Sequence, residues 1–96
     1  MIDFGMDPQQ ALDTARFCVG SGHKGSAGGV NLEDGINVQT RNDLAAMGHD
    51  VSNLIAGHKR AIFGRGQIIL RKKDSQGNQI WWAGSDPRAD GLAIGY

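Results

Sequence analysis

Two β-rich runs, Ala61 to Lys72 and Gln79 to Gly84, are joined by the polar stretch Lys73-Asp74-Ser75-Gln76-Gly77-Asn78, and this pairing constrains the chain more than any other feature. Apolar and β-branched runs flanking a short loop that contains glycine predict an antiparallel hairpin. Ile68, Ile69 and Leu70 are consecutive, as are Ile80, Trp81 and Trp82. Successive strand residues point to opposite faces, so both faces of this hairpin call for cover. The chain has 96 residues, enough for at most one domain, which buries roughly 60 to 65% of its unfolded surface.

The rest of the chain predicts only short elements. Asp7-Pro8-Gln9-Gln10 carries an N-cap, a proline suited to the first helical position and the glutamine of a capping box, and a helix is expected from about Pro8 to Arg16. Before it, Ile2, Phe4 and Met6 alternate with Asp3 and Gly5 without a polar lead-in, and the segment reads as one cut into. Phe17-Cys18-Val19 and Val30-Asn31-Leu32 are strand candidates, the second followed by a Glu33-Asp34-Gly35 turn. Between them, Gly20 to Gly29 is too rich in glycine and serine for regular structure. A second helix is expected over Val38 to Met47, with Leu44, Ala45 and Met47 on one face and Gly48 as its C-cap. Val51 to Ala56 is a candidate third strand. The fold class is α+β, with helices on one face of the sheet. Two short helices leave the other face to a second copy or to another polypeptide segment.

Charge and composition narrow the partners. Ten Lys and Arg balance ten Asp and Glu, so no basic field draws nucleic acid or anionic lipid. The apolar run around Ile68-Ile69-Leu70 falls far short of the about 20 residues that span a bilayer, and Met1 to Met6 lacks the pattern of an export signal. Neither nucleic acid nor membrane is expected as a partner. Cys18 is the single cysteine, which excludes an internal disulfide and any multi-cysteine zinc site and leaves the redox compartment undecided.

Each candidate for chemistry has a plainer reading beside it. His23, His49 and His58 match no zinc spacing and read as surface or turn histidines, so no metal site is expected. Gly20 to Gly29 lacks the Gly-Lys-Ser/Thr that opens a helix in a phosphate loop, and no cofactor is expected there. Cys18 paired with His23 is conceivable as a nucleophile, yet between Phe17 and Val19 it reads as a small buried hydrophobe. Ser85 and Asp86 lack the glycine-flanked elbow of a hydrolase triad. Arg71-Lys72-Lys73 beside Trp81 and Trp82 offers the ingredients of a single-strand binding surface, which zero net charge disfavours against a solubilised hairpin tip. Ser85-Asp86-Pro87-Arg88-Ala89-Asp90-Gly91 reads as a structural clasp, with Pro87 fixing a bend and Asp86, Arg88 and Asp90 forming a charge network.

The order of these segments resembles the end of gamma-glutamyltranspeptidases, in the acylase-like branch. The resemblance rests on Ile2-Asp3-Phe4-Gly5-Met6-Asp7-Pro8-Gln9-Gln10-Ala11-Leu12, Ala15-Arg16-Phe17, Leu44 to Val51, Gly64-Arg65-Gly66-Gln67, and above all on Trp81 to Gly91 ending at Gly95-Tyr96. It implies the C-terminal part of an α-β-β-α N-terminal nucleophile hydrolase sandwich. In such enzymes a precursor cleaves itself and frees a threonine that moves a gamma-glutamyl group from glutathione or its conjugates to water or an amino acid. That threonine, the substrate-holding groups and the oxyanion glycines lie upstream of the segment resembled here. Thr14 and Thr40 match none of them. The resemblance therefore assigns no catalytic, cofactor-binding or metal residue to this chain, and implies a fragment, inactive alone, of a transferase or hydrolase. Its partner would be the remainder of the parent enzyme. A small interaction module dimerising through the tryptophan-bearing hairpin is the other reading. Ala15 stands where the family commonly has proline, which touches only local helix termination.

Overall fold

The computed structural model describes residues 1–20 and 28–95. The elements, in chain order, are helix α1 (Pro8–Asp13), strands β1 (Phe17–Val19) and β2 (Val30–Leu32), helix α2 (Val38–Ala46), a 3-10 helix (Gly57–Phe63), and strands β3 (Gln67–Lys73) and β4 (Gln79–Ser85). The fold is α+β. It divides into two compact units, one of Met1–Thr14 with Arg65–Tyr96 and one of Ala15–Gly64.

The first unit is built on the hairpin. β3 and β4 pair antiparallel from Gln67↔Ser85 to Lys73↔Gln79. The turn closes through Asp74 N–H donating to Asn78 O at 2.9 Å and Gly77 N–H to Asp74 O at 3.1 Å, with Gly77 at a φ of 87° that suits glycine. α1 starts as its sequence dictates: Asp7 Oδ1 accepts from Gln10 N–H at 2.8 Å, and Gln10 Oε1 accepts from Asp7 N–H at 3.1 Å. It ends three residues earlier than expected. Thr14 is extended at ψ 132°, and the Arg16 carbonyl accepts from Glu33 N–H at 2.9 Å, so pairing with the β2 segment takes the backbone the helix would have used.

α1 covers one face of the hairpin. Gly84 meets the backbone of Pro8 and Gln9, and strand alternation places Ile68, Leu70 and Trp82 on that same face. Ile69, Arg71, Trp81 and Ala83 point the other way. The Gln9 side chain extends the sheet at its end: its amide donates to Ser85 O at 3.0 Å, and its carbonyl accepts from Ser85 N–H at 3.0 Å. Leu12 and Pro8 are the most buried apolar residues of this unit.

The Asp74 carboxylate is the anchor of the hairpin turn. It accepts from Asn78 Nδ2 at 3.1 Å, from Asn78 N–H at 2.8 Å and from Gln76 N–H at 2.9 Å, and these bonds, the Asn78 side chain foremost, hold its pKa below the usual value. With the folded pKa below the unfolded one, the contribution is present above the ordinary carboxylate range and lost as pH falls through the lowered folded value. Amide exchange at Gln76 and Asn78 should therefore show unchanged protection on mild acidification and lose it only in stronger acid. Loss of protection already near neutral pH would contradict this.

In the second unit β1 and β2 pair antiparallel, Phe17↔Leu32 through Val19↔Val30. Gly20 N–H donates to Gly29 O at 2.9 Å at the foot of the glycine-rich segment, whose residues 21–27, including His23 and Lys24, lie outside the described residues. Leu32 and Phe63 are buried. Two expectations fail here. Val51 to Ala56 does not form a strand: it makes isolated parallel bridges, Val30↔Val51 and Glu33↔Ile55. Between them β2 advances three residues and its partner four, and the extra residue breaks the ladder in the manner of a bulge. Ala61-Ile62-Phe63 belongs to the 3-10 helix rather than to the hairpin. A short apolar run suits either state, and Gly64 at φ 78° separates it from β3.

Helix α2 is capped by Asn37, whose Oδ1 accepts from Gln39 N–H at 2.8 Å, and ends before Gly48 at φ 93°. It has no buried residue. Leu44 is half-buried and Met47 is exposed, so the apolar face expected of it is weak. Arg41 ties the helix down, with Nε donating to Ser52 O at 3.0 Å and Nη2 to Asn53 Oδ1 at 3.1 Å. Arg41→Ala should speed amide exchange across α2 by the equivalent of about 1 kcal/mol, leaving the hairpin unit unchanged. Equal loss of protection in both units would argue against so local a role.

Candidate functional site

Asp86-Pro87-Arg88 follows directly on β4, and its two charged side chains are buried. Arg88 Nη1 lies 3.1 Å from Asp86 Oδ1, and the Arg88 backbone N–H donates to the same oxygen at 3.0 Å. Asp86 Oδ2 accepts from Gly66 N–H at 2.8 Å, which pins the entry to β3. The guanidinium then reaches α1: Nη1 donates to Leu12 O at 2.7 Å and Nη2 to Thr14 O at 3.1 Å. These are carbonyls at the C-terminus of the helix, where a cation also complements the helix dipole. The segment is a clasp, as its sequence suggests, and the structure adds what it clasps. Asp90 is exposed and takes no part in the pair.

A second buried charge escaped the sequence reading. Glu33 is 1% exposed. Its Oε2 accepts from Arg16 N–H at 2.9 Å, and its Oε1 stands 3.7 Å from Arg60 Nη1. Arg16 in turn donates from Nη1 to the carbonyls of Phe63 and Gly64, each at 3.4 Å. A carboxylate after an apolar-polar-apolar run looks like the first residue of a solvated turn, and only the pairing of β1 with β2 shows that it points inward.

Among the described residues the catalytic candidates do not assemble. Cys18 is half-buried, and its supposed base, His23, is outside the described residues. Ser85 Oγ accepts from Gln67 Nε2 at 3.0 Å, while the Asp86 carboxylate is engaged by Arg88 and Gly66. His49 and His58 are exposed. Among the described residues no three His, Cys, Asp or Glu side chains come together as a metal site, and no helix is long and apolar enough to cross a membrane.

Two surfaces remain. On the hairpin, Lys72 Nζ sits 4.4 Å from the centre of the Trp82 ring, a cation–π contact that engages one of the three consecutive cations within the hairpin itself. On the opposite face Ile69 is 70% and Trp81 66% exposed. In the second unit Val30, Asn31, Leu54, Ile55, His58 and Ile62 help line an open groove of about 930 Å³. Its walls are mostly apolar, and Ser52, His58, Lys59 and Asp50 add polar groups to them.

The chain matches the model of the gamma-glutamyltranspeptidase family over residues 1–96. It is 33% identical over 95 residues to the glutathione hydrolase-like YwrD proenzyme of Bacillus subtilis (strain 168), a match that covers 99% of this chain and 17% of that protein. Among solved structures it is similar to a cephalosporin acylase from Bacillus halodurans, with a TM-score of 0.68 and 31% identity, covering 99% of this chain and 16% of the acylase. The chain thus spans about one-sixth of the length of the relatives it matches. With the whole of its sequence inside the family and its α+β fold shared with the acylase, the chain belongs to the gamma-glutamyltranspeptidase family of N-terminal nucleophile hydrolases.

Proposed function

We propose that this chain is the C-terminal part of the small subunit of a gamma-glutamyltransferase or glutathione hydrolase-like enzyme, and that it supplies framework rather than reacting groups. The observation that carries this reading is the outer face of the hairpin. Ile69, Ala83 and Trp81 stand exposed on the side away from α1, an apolar patch of the kind a soluble protein keeps covered. The remainder of the enzyme is the partner that covers it, because about five-sixths of the length of the relatives lies outside the match. The buried pair Asp86–Arg88 and the half-buried pair Glu33–Arg60 serve this role by holding turns in place.

On this reading the isolated chain does not hydrolyse a gamma-glutamyl anilide, and neither does its Cys18→Ala variant. Turnover by the chain that disappears on mutating one of its own residues would overturn the proposal. The exposed Trp81 also supports a second reading, a stand-alone module that dimerises through the hairpin. Arg71 and Lys73 share the outer face with Trp81, and a symmetric pairing would bring like charges together, which favours the first reading. Sedimentation of the purified chain distinguishes them: a monomer agrees with the framework role, and a dimer lost on Trp81→Ala with the module.

A further inference from the structure

We propose that Asp34 is a site of spontaneous isoaspartate formation, selected by the fold over the chain's other aspartyl-glycine bond at Asp90-Gly91. Asp34 is exposed, and its Oδ1 accepts from the backbone N–H of the next residue, Gly35, at 3.1 Å. The nitrogen is thus held against the carboxyl group whose Cγ it must attack, the kind of pre-positioning that speeds an intramolecular reaction. The surrounding backbone is fixed. Asp34 N–H donates to Ile55 O at 2.9 Å and Ile36 N–H to Glu33 O at 3.2 Å. Gly35, at a φ of 106°, carries no side chain of its own, although the Ala15 side chain packs close to it.

The chemistry needs only water. The Gly35 amide nitrogen gives up its proton and attacks Cγ of protonated Asp34. The N–Cγ bond forms, the Cγ–OH bond breaks, and hydroxyl and proton leave as water, giving a five-membered succinimide. Water then adds to one of the two ring carbonyls. Opening at Cγ restores aspartate, whereas opening at the original α-carbonyl leaves the chain running through the side-chain carbon. The product has the mass of the starting protein and one more backbone methylene, inserted next to buried Glu33.

Asp90-Gly91 is the internal control. Asp90 is also exposed, but among the described residues its side chain makes no bond to Gly91 N–H, and Gly91 is packed against the side chains of Gln67 and Ser85. The test incubates the purified full chain for weeks in mildly acidic native buffer and, in parallel, in concentrated urea. Peptide mapping that separates isoaspartyl from aspartyl peptides reads both sites. Asp34 should convert several-fold faster than Asp90 in native buffer, and the ratio should fall to about one in urea. Asp34→Glu should remove product at position 34 while leaving Asp90 unchanged, and Asp34→Asn should speed conversion there by expelling ammonia in place of water. Equal rates at the two positions in native buffer, or faster conversion at Asp90, overturn the proposal.

Discussion

Replacing Arg88 with alanine should destabilise the hairpin unit by about 3–5 kcal/mol, the range for removing one partner of a buried ion pair. The substitution leaves the Asp86 carboxylate buried without its guanidinium partner, with the backbone N–H groups of Gly66 and residue 88 still donating to it, and removes a donor from Leu12 O and Thr14 O at the end of α1. In so small a unit that is most of the available stability. Arg88→Lys should recover only part of it. A single ammonium cannot present the planar fork that now serves Asp86 and two carbonyls at once. Urea unfolding followed by tryptophan fluorescence reads the effect, since Trp81 and Trp82 both lie on β4. A midpoint unchanged in Arg88→Ala would mean that the clasp is incidental.

Adding one methyl group at Gly84 should have the next largest effect. A Cβ there would stand 2.8 Å from the carbonyl carbon of Pro8 and 2.9 Å from Gln9 N, and both are backbone atoms that no rotamer change can move. α1 must back away from the sheet, which breaks the paired bonds between Gln9 and Ser85 as well. Overpacking of this kind costs about 1–3 kcal/mol, and Gly84→Ala should sit at the upper end. Gly77→Ala provides the contrast, because a Cβ there meets open space and only the strain of its positive φ remains. If Gly84→Ala proves the milder of the two, α1 is not packed on β4 as described.

Those two positions mark what the sequence made legible. The Asp7 capping box, the polar turn of the hairpin and the bend at Pro87 are written in local spacing, and each formed where expected. Arg88 was legible as part of a clasp but not as the cap of a helix 74 residues earlier in the chain, since nothing local distinguishes a guanidinium paired with Asp86 from one that also reaches α1. Glu33 was misread for the same reason. Its burial depends on Arg16 and Arg60, which no periodicity connects to it. The third strand and the early start of β3 failed differently. Val51 to Ala56 has suitable composition, but one residue of slippage against β2 denies it a ladder, and Ala61 to Phe63 is apolar in a way that serves a helix or a strand equally. The family, by contrast, was legible across the whole chain because it rests on ordered words of sequence, Trp81 to Gly91 above all.

The side chain of Gln9 also sets a limit on what can be added to this sheet. Counted along the outer edge of β4, the backbone groups of Gln79, Trp81, Ala83 and Ser85 share one orientation, and at Ser85 both are already taken by an amide that imitates a neighbouring strand. Any segment that joins this edge must stop short of Ser85. A single glutamine at the start of a six-residue helix thereby acts as a ruler for the next strand, and it leaves one fewer pair of bare peptide groups through which stray chains could assemble into fibres.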